Sequence, residues 1–520
     1  MRIRRCRRGC SSSRCWAIDP GSASSNGIVW TFCFPTLPPR PGGARRKGAY
    51  ISKFGPKRVR SIGTYPGDAS SALSKQTVTA RRLLQGQSFD GKEVFGGCIQ
   101  FRRALGVFRM KMEYLRVSRA GLAVFLLALG LGTRLCGESA LETPPNAFQH
   151  IPKEYLLEAS NPPEFWVSTI DGVTGFLQAR VHKGEVVVIG TSAGGRPIRA
   201  VLYGHARNGK GTTTFSGAVG AGTMRAYFGP DFDKKVYVAM ASVHGGEFEG
   251  IVGLVNLLSV LETGVDLRGR PWPRIVAAAG RIDRLIVIPI VNMDGRARVP
   301  LRMEAFHGTD GTIAQYMNTG GWGDGHLIGW PDCKVFIPLD FTRTQFPGGY
   351  PNDNGINIMH DDFLGARQPE TLALFELAAR ERPDLILNLH TGAGSENYYP
   401  RMLRPVTEDA LTPVFNGLYR AVQTALARAG LQATSDPAVE ADPAHAPKNG
   451  YNLDTALNFH CGALSVVVES PSHGYAGKNQ QGLEVRQTAD RLLDAELVVQ
   501  EEALNYLADT GGRSRWADGK

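Results

Sequence analysis

The chain has 520 residues, of which 42% are hydrophobic and 21% charged. That supports one large domain or two ordinary ones, and it excludes a wholly disordered chain and a disulfide-dense mini-protein. The formal net charge of +11 points to nucleic acid or an anionic membrane until it is divided by region. Residues 1–109 carry 21 Lys and Arg against 4 Asp and Glu, which leaves 38 basic against 44 acidic residues for the remainder. The basic excess belongs to the first fifth of the chain. The rest is mildly acidic, and no nucleic-acid partner is expected for it.

Residues 1–109 are rich in Arg, Ser, Gly and Pro and hold no persistent apolar period. Five of the eight cysteines lie there, Cys6, Cys10, Cys15, Cys33 and Cys98, in no zinc-site spacing. The expectation is an unstructured extension or a start-site artefact; a basic nucleic-acid-binding arm is the alternative. From Met110 the chain reads MKMEYLRVSRAGLAVFLLALGLGTRLCGESA. Lys111, Arg116 and Arg119 make a positive n-region, Gly121 to Gly132 an apolar stretch, and the small residues near Gly137–Ala140 a cleavage site. Residues 110–139 thus read as a signal peptide, with translation starting at Met110 or Met112. A buried core helix or a membrane anchor is the competing reading. The expected mature protein is secreted or periplasmic, with no stable membrane insertion after signal removal. It then holds only Cys333 and Cys461, as one disulfide or two free thiols.

From about residue 140 to 520, short apolar runs alternate with amphipathic stretches. GEVVVIG (184–190), PIRAVLYG (197–204) and KKVYVAMASV (234–243) predict strands, and EGIVGLVNLLSVLETG after them predicts a helix. RLIVIPIV (284–291) is a fourth strand. PETLALFELAARERP (369–383) predicts a helix and DLILNLH (384–390) the strand after it. LTPVFNGLYRAVQTALARAG is a further helix, GALSVVVES (462–470) a last strand, and LEVRQTADRLLDAELVVQEEALNYLA a long closing helix. Near-continuous apolar strands separated by helices imply an α/β fold with a mixed, mainly parallel sheet covered on both faces. Residues 205–230 and 303–355 are Gly-rich and aperiodic, and are expected as surface insertions near a site.

Polar residues gather just past the strand ends, where open α/β sheets bind ligands. His244, Gly245, Gly246 and Glu247 follow the third strand, and Asn292 and Asp294 the fourth. His390 and Glu469 close two others. Two His and two Glu thus reach one edge of the sheet. Two imidazoles and a carboxylate make an open zinc site that keeps a position for water, and a second carboxylate is the base such a site needs. In His-x-x-Glu the two glycines let the backbone turn tightly, so that both side chains reach one ion. Two Gly-rich stretches are decoys. Gly204–Thr212 nearly spells a phosphate loop, but Gly211 stands where Ser or Thr should follow Lys210. Gly217–Gly222 lacks the dinucleotide pattern.

VAMASVHGGEFEG, IPIVNMDGRAR, PDLILNLHTG and LSVVVES, in that order, resemble the M14 zinc carboxypeptidase family, and GTSAGGRPI (190–198) resembles the segment before its catalytic core. The resemblance covers roughly residues 150–508. It implies an α/β sandwich around a mixed sheet and one Zn²⁺ held by His244, Glu247 and His390. It also implies a peptide or amide substrate, with Glu469 as general base on a zinc-bound water and later proton donor to the leaving amine. An N-acyl amino acid deacylase sharing the site, and a binding protein that kept the fold without turnover, are the alternatives.

One segment departs from the family. Peptide-trimming members carry an Asn-Arg pair that clamps the substrate's terminal carboxylate, in a segment like GVDLNRDF. Here it reads Gly355-Ile-Asn357-Ile-Met359-His360-Asp361-Asp362-Phe363, and no arginine falls there. A bidentate guanidinium is hard to replace. His360 is the weak substitute when protonated, and substrates presenting an amide, an amino sugar or a cation at that end are expected to be better. For the family's oxyanion arginine the candidates are Arg296, Arg298, Arg302 and Arg343, with Arg343 first and Arg302 next. Tyr451 is the candidate for its mobile substrate tyrosine.

Overall fold

Seven strands form the main sheet, and their burial explains the continuous apolar runs. We number them β1 (Glu185–Thr191), β2 (Pro197–Gly204), β3 (Val236–Ala241), β4 (Arg284–Ile288), β5 (Leu385–Thr391), β6 (Arg401–Met402) and β7 (Leu464–Ser470). In this computed structural model the described residues are 3–5, 16–18, 151–308, 311–392, 400–431, 436–478 and 484–516. The strand order is β6–β7–β5–β3–β4–β2–β1. β7, β5, β3 and β4 run parallel in the centre, and β2, β1 and β6 complete the edges antiparallel. The expected mixed α/β sheet is what forms. β3, β4 and β5 are buried along their whole length, as strands covered on both faces must be.

The main helices are α1 (Ile170–Arg180), α2 (Glu249–Thr263), α3 (Pro369–Glu381), α4 (Thr412–Arg428), α5 (Leu453–Cys461) and α6 (Ala489–Thr510). α2, α4 and α6 pack together on one face, while α3 packs on β1 and α5 on β7 across the other. α2 is buried on nearly every side, which is why its sequence is apolar all round rather than striped. Gly264, at φ 89°, ends it in the left-handed conformation.

The largest boundary differences from the sequence reading are at the fourth strand and the closing helix. The fourth strand stops at Ile288 because Pro289 offers no N–H to the ladder. The long closing helix begins only at Ala489. Thr488 caps it by accepting from the Arg491 N–H, and Glu484–Arg486 instead pairs antiparallel with Ala476–Lys478.

The 205–230 insertion lies at the amino ends of the strands, away from the predicted site. Arg207 donates to Asp384 at 2.7 Å, just before β5, and Arg382 donates to the carbonyls of Gly209, Tyr227 and Phe228. The segment folds as two short helices, Phe215–Ala221 and Met224–Phe228, around its own apolar cluster. Gly204–Thr212 is therefore the lead into that cluster.

The chain divides into two units, Met1–Leu115 and Arg116–Lys520. In the first, Ile3–Arg5 pairs antiparallel with Trp16–Ile18. The expected signal segment, 110–139, lies outside the described residues. Among the described residues no helix is long and apolar enough to cross a membrane. Cys333 and Cys461 are both buried and free, so the disulfide alternative is not what forms. Burial holds each thiol up at about 12.

Candidate metal and catalytic site

Past β3, Ser242 takes a left-handed backbone (φ 58°) and turns the chain into His244-Gly-Gly-Glu247. The two glycines are required for close approach rather than for a positive φ, which neither has. A Cβ on Gly245 would lie 2.1 Å from the Arg296 nitrogen and the Gly295 carbonyl carbon, and one on Gly246 would lie 2.5 Å from Asn318 Oδ1. The loop is thus pressed onto the turn after β4, where Asn292 caps the helix Met293–Arg298 and donates to the Tyr350 carbonyl. Asp294 is tied to Ser192, Gly194 and Arg196 and stays out of the site.

His244, Glu247 and His390 converge there, all buried. His244 Nδ1 is 2.8 Å from Glu247 Oε1, His390 Nδ1 is 3.0 Å from Glu247 Oε2, and the two Nδ1 atoms are 3.2 Å apart. Thr391 N donates to Glu247 Oε2 at 3.1 Å, and Asn318 Nδ2 to Oε1 at 3.3 Å. The Tyr350 ring stacks on His244 at 3.6 Å, and Asn357 lies beside the same imidazole.

This cluster fits a metal ion. One donor atom from each of the three residues lies within 4.8 Å of the others, close enough for all three to reach one ion. The electrostatics of the bare cluster also call for positive charge. Burial pushes Glu247 up, but the charges and hydrogen bonds of His244 and His390 outweigh it and hold the carboxyl at about 2. Burial pushes His390 down, yet Glu247, with Glu469 and Asp454 behind it, brings it to about 9. His244 is lowered, burial prevailing over Glu247. The outer atoms, His244 Nε2 and His390 Nε2, are buried without a hydrogen-bond partner.

Glu469 joins them through the sheet. It is directly opposite His390 in the parallel β5–β7 register and opposite Arg401 in the antiparallel β6–β7 register. Residues paired in this way show their side chains on the same face. Burial raises its carboxyl to about 7, with Glu247 and Asp454 adding and His390 opposing. A cavity of about 540 Å³ opens over these four residues. Part of its wall comes from 303–355, through Glu304, Asn318, Trp330, Lys334 and Tyr350. That insertion is where the sequence reading expected it. A larger cavity, about 710 Å³, lies beside Arg225, Glu408 and Arg513 and includes none of these groups.

The remaining candidates separate. His360 lines the cavity, but burial, with Lys334, His244 and His390 nearby, lowers it to about 4, so at neutral pH it is no cation. Arg296 spends its donors on the Ser168, Val299 and Leu301 carbonyls, and Arg298 on Gly348, Pro351 and Asp353. Arg302 is on the surface, paired with Glu158 at 2.5 Å. Arg343 stacks over Trp322 and Phe336. Tyr451 is 57% exposed, edge-on to Phe363. Arg302, Arg343 and Tyr451 are outside the cavity lining. Asp361 does not face it either: its carboxylate accepts from Asp362 N and Gln368 N. The cations that do line the cavity are Lys334 and Arg401, which sequence reasoning missed. One stands in an aperiodic insertion and the other on a two-residue strand, so neither carries a pattern.

No family model matches the chain, and no curated protein matches it. Among solved structures, the chain is similar to a metallo-carboxypeptidase from Burkholderia cenocepacia, with 15% identity, 65% of this chain against 69% of that one, and a TM-score of 0.38. It is also similar to a metallo-carboxypeptidase from Pseudomonas aeruginosa solved with (2-guanidinoethylmercapto)succinic acid, with 14% identity, 65% and 69% coverage and a TM-score of 0.40. A third is thrombin activatable fibrinolysis inhibitor, with 10% identity, 70% and 82% coverage and a TM-score of 0.36.

Proposed function

We propose that this chain is a zinc-dependent hydrolase of peptide or amide bonds, of the carboxypeptidase-like type. One observation carries the reading: two buried imidazoles and a buried carboxylate bring their donor atoms within 4.8 Å of one another, with a second carboxylate on the neighbouring strand. His244, Glu247 and His390 would hold the ion. When bound, zinc supplies Lewis acidity toward a carbonyl and lowers the pKa of water.

The chain's own residues do the rest. Glu469, held near 7, accepts a proton from the attacking water at one carboxylate oxygen and delivers it to the departing amine nitrogen. Glu247 carries the negative charge that balances the cation. Tyr350, packed flat on His244, fixes that ring. Trp330, Lys334 and Tyr350 of the 303–355 segment form part of the wall that substrate would meet. The same reading takes the protein as exported, which mass spectrometry of the native amino terminus decides.

The test is a hydrolysis screen of peptides, peptidoglycan fragments and N-acyl amino acids on zinc-loaded protein, with Glu469→Gln as control. Turnover in the wild type that is lost in the variant is expected. No turnover of any amide, with zinc bound, would leave a binding protein as the reading.

A further inference from the structure

We propose that Arg401 is a specificity-determining residue that selects substrates with a side-chain carboxylate on the amine side of the scissile bond. The inference rests on the hydrolase reading, and it names the substrate class of that site.

The argument begins with direction. The group that protonates the leaving amine must be next to it, so the amine-side residue lies toward Glu469. In that direction the wall is β6 and the residues just after it. Arg401 is the register partner of Glu469, and the Leu403 N–H donates to the Val467 carbonyl two residues further along. Arg401, Leu403, Val467, Pro447, Asn449 and Asn452 all line the cavity, and Arg404, next to Leu403, is hydrogen-bonded to the backbone of Pro447 and Asn449. Leu403 and Val467 suit an aliphatic stem. A charged group at its tip meets Arg401.

Arg401 is available for it. Among the described residues, the bond its guanidinium makes runs from Nη2 to Glu440 Oε1 at 3.2 Å. A guanidinium has five N–H donors, so a second carboxylate has room to accept. Glu440 is 4% exposed and fixes the arginine from behind. A second polar group gives the same indication. Asn452 is 1% exposed, and its Oδ1 accepts from Thr455 N, yet its Nδ2 donor is buried without an acceptor. An unpaired donor and a guanidinium lining the same cavity are complementary to an anion and not to a cation. The expectation drawn from the missing Asn-Arg pair concerns the terminal carboxylate, a different group of the substrate.

The experiment compares benzoylglycyl dipeptides ending in Glu, Gln, Leu or Lys. Glu and Gln differ only in the side-chain charge and share the terminal carboxylate. The wild type is expected to favour Glu over Gln by roughly 10- to 100-fold in kcat/KM, the range of one charge-assisted hydrogen bond. In Arg401→Gln/Glu440→Gln, which leaves no buried unpaired carboxylate, the preference should vanish. Calorimetry of free L-glutamate against L-glutamine on the zinc-loaded proteins gives the same comparison without turnover. Equal treatment of Glu and Gln by the wild type, or a preference that survives in the double variant, would overturn the proposal. Absent turnover of every dipeptide leaves the decision on Arg401 to calorimetry, where equal binding of glutamate and glutamine overturns the proposal; the hydrolase reading falls only if the wider amide screen is also negative.

Discussion

Glu469 and His390 occupy one rung of the parallel ladder between β7 and β5. The proposed base and the proposed ligand are therefore held at a separation set by backbone hydrogen bonds, not by loop conformation. That rigidity suits a group that must pass a proton twice in one reaction.

The first prediction concerns this base. Glu469→Gln keeps shape and hydrogen bonding but cannot accept the proton. Its rate should fall by roughly 10²–10⁴, with zinc content unchanged. Because burial raises the wild-type carboxyl to about 7, and only its ionised form is a base, kcat/KM should rise with pH through that region. Any residual rate of the variant should lack that limb. A matching limb in both proteins would assign it to another group.

Metal removal is the second. An ion that binds only the folded chain stabilises it by mass action. Chelation should lower the Tm of the wild type, and zinc should restore it. His390→Ala should bind much less zinc by elemental analysis, and its Tm should be insensitive to chelator. Equal zinc in both proteins would take His390 out of the site.

Two glycines give a third, contrasting pair. Gly245→Ala places a methyl 2.1 Å from the backbone of Gly295 and Arg296, where nothing can yield cheaply. A loss of about 1–3 kcal/mol or more is expected, with zinc retention impaired. Gly220→Ala, in the helix Phe215–Ala221, meets nothing within 4 Å and should be neutral or stabilising by about 0.5–1 kcal/mol. Urea melts of the two variants check both signs.

Glu496 supplies a pH prediction away from the metal. It sits on α6, 1% exposed, hydrogen-bonded to Ser470, and burial, with Glu249 nearby, raises its carboxyl to about 7. The folded state keeps a proton that the unfolded chain has already released. Stability from this group is thus fully present below the unfolded value and is lost as pH rises toward and through 7. Glu496→Gln should flatten the stability profile and be more stable than wild type at pH 8, by on the order of 1–3 kcal/mol. Glu304, also raised to about 7, keeps a smaller slope of the same sign. A variant that tracks the wild type from pH 5 to 8 would show that Glu496 is ionised in the fold.

Much of this was legible because strands buried on both faces write themselves as unbroken apolar runs. PIRAVLYG and its neighbours gave the sheet, and the sheet gave the edge where His244, His390 and Glu469 stand. The strand Glu484–Arg486 was hidden because its residues continue the polar–apolar spacing of α6 up to the Thr488 cap. The reason for Gly245 and Gly246 was also hidden, since only the folded chain brings Gly295 and Asn318 against them. Lys334 and Arg401 were invisible for a related reason. Their place in the cavity depends on long-range pairing, which no local period records.

The 303–355 insertion has an apolar nucleus of its own, Ile328, Cys333, Leu339 and Tyr350, distinct from the core of the sheet. Trp330 and Lys334 stand on that nucleus, whereas His390 and Glu469 stand on the sheet and His244 and Glu247 on the loop just past it. The two halves of the cavity can therefore change by separate routes. Substitutions in the insertion are free to reshape what enters without disturbing the proposed chemistry, up to the points where Tyr350 lies against His244 and Asn318 donates to Glu247. Those two contacts are where drift in substrate range would first begin to trade against the proposed catalysis.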